Sequence, residues 1–475
     1  MSKEYKFLIN GQWLTSPEKH DVKSPYNGKV IGTSYRPTTD DVENAIKVAT
    51  AAFEITKKMP PYQRSEILSN IARRLQNKKE EMAQVIAAEA GKPIKAARIE
   101  AERSILTFTI AAEEAKRING EIIPLDIHPY GKDRICNISR FPIGPIAGIS
   151  PFNFPLNLVV HKVAPCIASG NTMILKPASQ TPLSSLKLGE IAMEAGLPAG
   201  ALNILPCSAQ VAEPLITDER IKKLTFTGSP VVGWDLKKRC GRKRITLELG
   251  GNAGVIVHND ADLDYAVDRI IMGGFGYAGQ TCISVQRIFV QRDIIEKFKE
   301  KFIKKVKSLK SGDPLDENTD VGPMISEKEA KRAEEWVKEA VNNGATILNG
   351  GQRNKSMLTP TVLTDVKPDM KVSCQELFAP VVTLVSYSDF HAAVKEVNNS
   401  DFGLQAGIFC KDLDLIYSAY REIEVGGLVV GDVPTFRIDH MPYGGVKSSG
   451  LGREGIRYAI EEMTELRALI LNLPQ

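Results

Sequence analysis

From about residue 140 to residue 430 the chain alternates short apolar runs with amphipathic stretches, and this alternation restricts its fold more than any other feature. The apolar runs have the length of strands, and the amphipathic stretches between them have the periodicity of helices. Buried strands that alternate with helices usually pair in parallel, because each helix returns the chain to the same edge of the sheet. The expected strands are 144–150, 171–175, 201–205, 223–227 and 244–249, followed by 254–257, 286–290, 381–385, 407–410 and 427–430. Two doubly wound parallel α/β domains fit this pattern better than one, with ligands at the carboxyl ends of the strands.

The rest of the chain adds a helical start and two stray segments. Residues 1–119 are rich in predicted helix, with a capping-box-like start at Asp40 and Glu43. A chain of 475 residues exceeds one ordinary core and suits two or three domains. Segments 120–140 and 467–473 alternate like strands outside both series, and residues 468–471 form an apolar end. Strands of this kind often pair across a subunit interface.

Composition and charge exclude several classes of protein. The 61 basic and 57 acidic residues are spread along the chain, so no basic face predicts binding to nucleic acid or to an anionic membrane. No window approaches the roughly 18 apolar residues that a membrane span needs, and the N-terminus has no apolar signal core. The seven cysteines are odd in number, scattered and without a Cys-x-x-Cys pair. We therefore expect a reducing, cytoplasmic location, with neither a disulfide framework nor a metal site.

Three polar residues near predicted strand ends are candidates for catalysis. Cys282 lies in a loop before a strand, where nearby donors can lower the thiol pKa from about 8.5 and make it a nucleophile. Glu248 lies between two leucines, a setting that suits a general base with a raised pKa. Asn153 lies among aromatic residues and prolines, where a rigid amide can donate to an oxyanion. Each also has an ordinary alternative, namely a packed cysteine, a surface carboxylate and a turn asparagine.

A second group of residues suggests a nucleotide site. Lys176 and Ser179 follow the predicted strand 171–175. Gly228 and Ser229 lie between a strand and a helix, and the start of that helix could hold a phosphate through free amides and its dipole. No Gly-x-Gly-x-x-Gly follows a strand and no Walker loop is present, so the usual nucleotide signatures do not apply.

In their order and spacing, these motifs resemble the aldehyde dehydrogenase superfamily over essentially the whole chain. The matching motifs are Pro-Phe-Asn-Phe-Pro at 151–155, Lys-Pro-Ala-Ser at 176–179, Phe-Thr-Gly-Ser at 226–229, Glu-Leu-Gly-Gly-Asn at 248–252, Gly-Gln-Thr-Cys at 279–282, Glu-Leu-Phe-Ala-Pro at 376–380 and Lys-Ser-Ser-Gly-Leu-Gly-Arg-Glu-Gly at 447–455. So many independent matches make a chance resemblance negligible.

The resemblance implies a role for each matched residue. Cys282 corresponds to the family's nucleophile, and Glu248 corresponds to its base. Asn153, together with the backbone N–H of Cys282, corresponds to its oxyanion hole. Lys176, which we place with both the catalytic and the cofactor-binding residues, corresponds to the lysine that binds the adenosine ribose. Ser229 corresponds to a pyrophosphate contact. The remaining expected cofactor contacts are Pro151, Phe152, Ser179, Gly228, Val232, Leu249, and Glu376 with Phe378 at the nicotinamide ribose.

The resemblance also implies a domain organisation and an assembly. Residues 1–119 and 141–250 correspond to a cofactor-binding domain, and residues 251–448 to a catalytic domain. Segments 120–140 and 456–475 correspond to the family's oligomerisation arm, which implies a homodimer or a homotetramer. The superfamily can also lose catalysis and serve a structural role, but such a role requires a broken site, and Cys282, Glu248 and Asn153 are all present here.

In the chemistry that the resemblance implies, a thiohemiacetal on Cys282 becomes a thioester, which is then hydrolysed with Glu248 as base. The branch of the superfamily that transfers the acyl group to coenzyme A lacks this glutamate, so its presence favours hydrolysis. The expected cofactor is NADP, NAD or both. Ser179 occupies the place where NAD-preferring members carry a glutamate that repels a 2′-phosphate, so we expect NADP to be accepted. Cys207 stands where many relatives have glycine.

The substrate is the least determined property. Succinate-semialdehyde dehydrogenases carry an arginine where this chain has His161, and the phosphate clamp of related glyceraldehyde-3-phosphate dehydrogenases is replaced by Thr109 and Thr281. His161 and Arg437 could still meet one anionic group, although a helix histidine is the ordinary interpretation of His161. With Thr281 and Ile283 they are the candidate substrate contacts. We expect a small hydroxyaldehyde such as lactaldehyde; the alternatives are glyceraldehyde 3-phosphate, a phosphono- or sulfo-aldehyde and succinate semialdehyde.

Overall fold

Two open sheets organise the chain, and the computed structural model describes residues 3–473 of it. Residues 1–2 and 474–475, at the ends of the segments assigned above, lie outside that range. The first sheet has eight strands, and its five central strands, from Arg244–Glu248 to Leu202–Ile204, are parallel. In spatial order these strands are Gly450–Leu451, Arg244–Glu248, Lys223–Thr227, Pro145–Ile149, Thr172–Lys176, Leu202–Ile204, Phe7–Ile9 and Gln12–Leu14.

The second sheet has seven strands, all parallel except the antiparallel edge strand Thr346–Asn349. In spatial order they are Thr346–Asn349, Thr361–Thr364, Val381–Tyr387, Val285–Gln291, Ala253–Val257, Gln405–Phe409 and Gly427–Val430. Every strand expected from the alternation of apolar runs is present within a few residues of its predicted bounds. The central strands are apolar and buried along their length because helices cover both faces of a parallel sheet.

Helices cover the sheets and separate their strands. Around the first sheet lie Thr39–Thr56, Pro61–Asn77, Lys79–Ala90, Ile94–Glu114, Asn157–Ala168, Leu183–Glu194, Glu213–Thr217, Pro230–Arg239 and Ile456–Glu462. Around the second lie Leu263–Phe275, Ile295–Ser308, Glu327–Asn342, Lys371–Cys374, Phe390–Asn398 and Leu413–Glu422, and short 3₁₀ turns are Pro129–Gly131, Gly276–Gly279 and Arg292–Ile294. The first helix starts earlier than the predicted pair Asp40 and Glu43. The capping box is formed by Thr38 and Asp41, whose side chains each accept the other's backbone N–H.

A separate antiparallel sheet of three strands stands apart from the two large ones. It consists of Glu121–Pro124, Arg134–Pro142 and Thr464–Asn472. Its apolar side chains remain exposed in the single chain, with Ile122 at 75% and Ile470 at 59%. The segment 456–475 assigned to the arm begins with the helix Ile456–Glu462, whose apolar residues belong to the core under the first sheet. Within that segment, the arm sheet contains only the strand that follows the helix.

The remaining strands are short and peripheral. Glu4–Tyr5, Lys19–Lys23 and Val30–Tyr35 form one small sheet, and Arg353–Asn354 with Met357–Leu358 and Phe402–Gly403 with Val446–Lys447 form two ribbons. Among the helices of residues 3–473, none is long and apolar enough to cross a membrane.

Candidate active site

Two adjoining cavities meet at Cys282 between the two large sheets. One, of about 390 Å3, is lined by residues that follow the strand ends of the first sheet. The other, of about 240 Å3, lies between the cysteine loop, the helix Ile94–Glu114 and the loop that precedes Tyr443. Both cavities include Cys282 and Leu158 in their walls. A group bound in one cavity can therefore react at the sulfur with a group bound in the other.

The loop before Cys282 has an unusual backbone that places the thiol between the cavities. Tyr277 and Ala278 have φ values of 50° and 52°, a left-handed conformation that non-glycine residues adopt at a cost of about 1 kcal/mol or more. The side chain of Gln280 braces the loop. Its amide nitrogen donates to the carbonyl oxygens of Tyr277 and Pro323, and its oxygen accepts the backbone N–H of Ile325 at 2.7 Å.

The surroundings of the Cys282 thiol favour its neutral form in this state. Burial raises its pKa to about 12, and the hydrogen bond with Tyr443 is the largest influence that lowers it. The Cys282 Sγ and Tyr443 Oη atoms lie 3.2 Å apart. Of the charged side chains nearby, the Glu376 and Glu248 carboxylates raise this pKa further and the Arg437 guanidinium lowers it. A thiolate therefore needs a base and nearby donors in order to form.

Glu248 has the properties expected of a general base. Its carboxylate is buried at the carboxyl end of the strand Arg244–Glu248, and neither oxygen has a hydrogen-bond partner among the described residues. Burial raises its pKa well above the usual carboxyl value, and the nearby Glu454 carboxylate raises it further. Because Glu248 and Cys282 line the same cavity, a water molecule held between them could give its proton to this carboxylate.

Lys162 and Glu454 complete a buried charge network that sequence reasoning missed. Lys162 Nζ donates to Glu454 Oε1 at 3.0 Å and also to the Thr227 hydroxyl, and Arg437 donates to the other Glu454 oxygen at 3.1 Å. Glu454 was quoted within the last matching motif without a role, and a lysine inside the apolar stretch 157–168 was a further signal. Because its charges are paired, this network can remain ionised beside Glu248 although it is buried.

Asn153 lies where an oxyanion donor is needed. It is buried in the wall of the larger cavity, and one proton of its side-chain amide is donated to the carbonyl oxygen of Gln280 at 3.0 Å. The second amide proton and the backbone N–H of Cys282 have no acceptor within residues 3–473. These two donors are therefore available to an oxygen that develops negative charge beside the sulfur.

The larger cavity suits a dinucleotide. Of the residues predicted to bind the cofactor, it is lined by Pro151, Phe152, Gly228, Ser229, Val232, Leu249, Glu376 and Phe378. The helix Pro230–Arg239 begins directly after Ser229, so its free N–H groups face this cavity and can donate hydrogen bonds to phosphate oxygens. A Cβ on Gly250 would collide with the Glu376 carboxylate, so the backbone there passes unusually close to that side chain. The donors and the apolar walls fit a nicotinamide dinucleotide.

Lys176 and Ser179 are near this cavity but not in its wall. The residue between them that lines it is Ala178. The carbonyl oxygen of Ser179 accepts a hydrogen bond from His20 Nε2 at 3.1 Å, and Arg36 donates to the other ring nitrogen of His20 at 2.9 Å. Burial lowers the pKa of Lys176, and the charge of Arg36 lowers it further. Two basic side chains therefore surround the turn that carries Ser179.

In the smaller cavity, three of the four predicted substrate contacts are present and one is not. Thr281, Ile283 and Arg437 line it, whereas His161 does not. His161 is buried, its Nε2 lies 2.8 Å from Asp439 Oδ1, and burial followed by the charge of Arg437 lowers its pKa. It is thus a hydrogen-bonded helix histidine behind Arg437, and its role as a substrate contact stays a prediction.

Arg103 and Lys92 also line the smaller cavity, and sequence reasoning did not assign them to the site. Arg103 makes two hydrogen bonds, at 2.7 and 3.1 Å, to the buried carboxylate of Asp439. Lys92 pairs with Glu100, and its ammonium lies 3.5 Å from the centre of the Phe154 ring. Arg437 is buried and its Nε has no partner among the described residues. The cavity thus presents basic groups beside an apolar wall.

Comparison with known proteins identifies the family. The profile of the Aldehyde dehydrogenase family matches residues 13–469. The chain belongs to the aldehyde dehydrogenase family. Its relatives include the 3-sulfolactaldehyde dehydrogenase of Priestia aryabhattai, 47% identical over 472 residues that cover 99% of this chain and 98% of the relative. They also include the lactaldehyde dehydrogenase of Methanocaldococcus jannaschii, 41% identical over 470 residues that cover 98% of this chain and all of the relative (100%).

Solved structures show the same relationship. Aldehyde dehydrogenase 21 of Physcomitrella patens, in complex with the reaction product succinate, has a TM-score of 0.98 at 47% identity and covers 99% of each chain. The glyceraldehyde-3-phosphate dehydrogenase GapN of Methanocaldococcus jannaschii, complexed with NADP, has a TM-score of 0.93 at 41% identity and covers 96% of this chain and 100% of that one. The predicted fold and the predicted enzyme class are confirmed, and the enzyme is an NAD(P)-dependent aldehyde dehydrogenase.

Proposed function

We propose that the enzyme oxidises a small aldehyde that carries an anionic group, through a thioester on Cys282. The observation that carries the substrate class is the side chain of Arg437 in the wall of the cavity that also contains the thiol. A hydrogen bond to a charged group contributes about 1.5–3 kcal/mol, and an anionic group on the substrate would supply the acceptor for the Arg437 guanidinium. The expected lactaldehyde, which has no such group, is the second candidate, supported by the lactaldehyde dehydrogenase relative.

The thiol of Cys282 begins the reaction by losing its proton to Glu248, directly or through water. The sulfur then bonds to the aldehyde carbon, and the carbonyl oxygen takes up the electron pair. Asn153 Nδ2 and the backbone N–H of Cys282 hold that oxygen, which lowers the barrier because both donors are already in place. A nicotinamide held in the larger cavity, whose wall includes Ser229, Glu376 and Phe378, would supply the acceptor for the hydride of the thiohemiacetal carbon.

After it has released the thiol proton to solvent, Glu248 completes the reaction by taking a proton from water as that water attacks the thioester. This step releases the carboxylic acid, and the Cys282 sulfur leaves as a thiolate that takes up a proton to regenerate the thiol. A carboxylate without partners at this position favours water over coenzyme A as the acyl acceptor.

The anionic group fits the basic end of the smaller cavity. Arg437 and Arg103 both line it, and Asp439 orients the Arg103 guanidinium with two hydrogen bonds. Guanidinium groups bind sulfonate, carboxylate and phosphate oxygens in a planar geometry. The substrates named for the sulfolactaldehyde and glyceraldehyde-3-phosphate dehydrogenases, and the product succinate, all carry such a group. With about 240 Å3 available, a chain of three or four carbons with one anionic end fits best.

We also propose that NADP is the preferred cofactor. Ser179 leaves room where a glutamate would repel a 2′-phosphate, and Lys176 and Arg36 bring positive charge to the same turn. The GapN relative contains NADP. A preference for NAD of more than about tenfold in kcat/KM, roughly 1.4 kcal/mol, would contradict this proposal.

We also propose that the enzyme is a cytoplasmic homodimer or homotetramer, and the arm sheet supports the assembly. Leu469 and Ile122 are exposed on the same face of this sheet and form an apolar surface that a second chain could cover. Light scattering after size exclusion should give two or four chains, and Leu469→Asp should shift the population to smaller species. A monomeric parent enzyme would contradict the assembly that we propose.

The test of substrate class is an aldehyde panel read by nicotinamide absorbance. It compares 3-sulfolactaldehyde, succinate semialdehyde and glyceraldehyde 3-phosphate with lactaldehyde and propanal. Cys282→Ala should abolish turnover of all of them. Arg437→Gln should lower kcat/KM for the anionic aldehydes about 10- to 100-fold more than for propanal, as expected for a lost charged hydrogen bond. The exposed Arg457→Gln serves as the matched control. An equal loss for neutral and anionic aldehydes would mean that Arg437 is structural and does not select the substrate.

A further inference from the structure

The phenol of Tyr443 is in direct contact with the reacting sulfur. Its Oη lies 3.2 Å from Cys282 Sγ, and within residues 3–473 the hydroxyl has no other hydrogen-bond partner. Tyr443 is only 3% exposed and packs against Ile283 and Leu404, so it has little freedom to turn away. None of the motifs discussed above includes this residue.

The backbone and the ring of Tyr443 are both held in place. The Tyr443 N–H donates to the carbonyl oxygen of Glu454 at 3.1 Å, and the Glu454 N–H donates back at 2.7 Å. The Arg437 guanidinium carbon lies 3.6 Å from the centre of the Tyr443 ring. A cation over an aromatic face draws electron density from the ring, which makes the hydroxyl a stronger donor.

We propose that Tyr443 is a further catalytic residue, whose hydroxyl donates a hydrogen bond to Cys282 Sγ and stabilises the thiolate that attacks the aldehyde. This proposal rests on Cys282 being the nucleophile of the proposed function. The thiol proton passes to the Glu248 carboxylate, which becomes a carboxylic acid, and the sulfur keeps the electron pair that forms the new carbon–sulfur bond. The phenol retains its own proton throughout.

The charges around the sulfur explain why this donor is needed. Four titratable or charged side chains face it: the Glu248 and Glu376 carboxylates disfavour a second negative charge, while Arg437 and Tyr443 favour it. Burial raises the pKa of Tyr443 well above its usual value, so the phenol stays protonated and acts as a donor at every working pH. The side-chain amide of Asn153 already donates to Gln280 and is directed to the oxyanion, so it does not replace this contact.

The decisive measurement is the pH dependence of the Cys282 alkylation rate. The intact enzyme is treated with iodoacetamide without substrate, and modification of Cys282 is followed by peptide mass spectrometry. Tyr443→Phe should move the curve of rate against pH by about one unit to higher pH, so that alkylation at a fixed pH below the thiol pKa is about tenfold slower, since a hydrogen bond to a charged group is lost. Replacing Tyr443 by 2,3-difluorotyrosine, a more acidic phenol with nearly the same shape, should move the curve to lower pH. This second variant gives the opposite sign without deleting the hydroxyl.

The matched control is Tyr387→Phe, which removes a buried phenol hydroxyl that bonds to His258 in the second domain, away from both cavities. Its curve should coincide with that of the parent. If the Tyr443→Phe curve also coincides with the parent curve, or if the fluorinated phenol shifts the curve to higher pH, Tyr443 is not a donor to the sulfur. Turnover that survives in Cys282→Ala would instead overturn the proposed function, so the two failures are distinguishable.

Steady-state kinetics give a second readout that packing alone would not change. Tyr443→Phe should lower kcat about tenfold near neutral pH with little change in KM, and the deficit should shrink as the pH rises and the thiolate forms without help. A deficit that is the same at every pH would contradict the proposed role.

Discussion

Gly251 lies so close to the loop that carries Cys282 that a larger residue at this position should lower activity. A Cβ added to Gly251 would fall inside 3.0 Å of the carbonyl oxygen of Cys282, whereas an ordinary contact begins at 3.4 Å. The backbone oxygen of Cys282 cannot rotate away as a side chain can, so the loop must retreat by at least about half an ångström. A misplacement of 1 Å can cost about 10²-fold in rate, so Gly251→Ala should lower kcat about 10- to 100-fold.

The assay separates a displaced thiol from a damaged fold. Gly251→Ala should retain its secondary structure by circular dichroism, bind the dinucleotide, and show both the reduced kcat and a slower alkylation of Cys282. The control is Gly312→Ala, where the contact would be with the end of the Thr319 side chain, far from both cavities. Normal turnover in Gly251→Ala, with a correctly folded chain, would refute the argument that this backbone contact fixes the sulfur.

Further predictions follow from the charges of the site. Glu248→Gln removes the base of both steps, so it should slow the single-turnover release of reduced cofactor as well as the hydrolysis of the thioester, each about 10²- to 10⁴-fold, which stopped-flow absorbance and rapid-quench mass spectrometry would measure. Because burial raises the pKa of Glu248 and a base works only when deprotonated, the hydrolysis rate should rise with pH above the usual carboxyl range; a rate already flat from pH 5 would contradict this. Ser179→Glu should reverse the cofactor preference towards NAD by more than about tenfold in kcat/KM, and an unchanged ratio would remove Ser179 from the 2′-phosphate site. Although burial opposes ionisation of Asp439, His161 and Arg103 hold its pKa below its unfolded value of about 3.9, so its contribution to stability is present above that pH and is lost as the pH falls. Asp439→Asn should therefore lower the Tm at pH 7 more than at pH 3, and an equal loss at both would exclude the linkage.

The sequence alone was sufficient to predict the order of the strands in the chain and the three candidate catalytic residues. The strand 223–227 was predicted with its bounds, and those of Arg244–Glu248 and Thr172–Lys176 within one residue, because a buried parallel strand leaves a continuous apolar run. Cys282, Glu248 and Asn153 were found because each lies in a short motif directly after a strand or before one. Local sequence therefore carried the information about these positions.

Tertiary structure decided the residues whose partners lie far away in the chain. Arg103 and Asp439 are 336 residues apart, Lys162 and Glu454 are 292 apart, and Cys282 and Tyr443 are 161 apart. Apart from the apolar stretch around Lys162, no local pattern distinguishes such a residue from one on the surface, because its role depends on burial and on the charge opposite it. The position of His161 has the same cause, since only the packed helix shows that its ring lies against Asp439 and outside the lining of the smaller cavity.

The sequence by itself therefore determined two parallel α/β domains and the family, and it predicted a nucleophile with its base and oxyanion donor. Periodicity and motif order depend on residues that are close in the sequence, so they can be recognised without a structure. Three features exist only when distant segments of the chain come together. They are the basic end of the smaller cavity, the contact of the Tyr443 phenol with the Cys282 sulfur, and the exposed face of the arm sheet. Their energies arise from desolvation and from distances between side chains, which only the folded chain establishes.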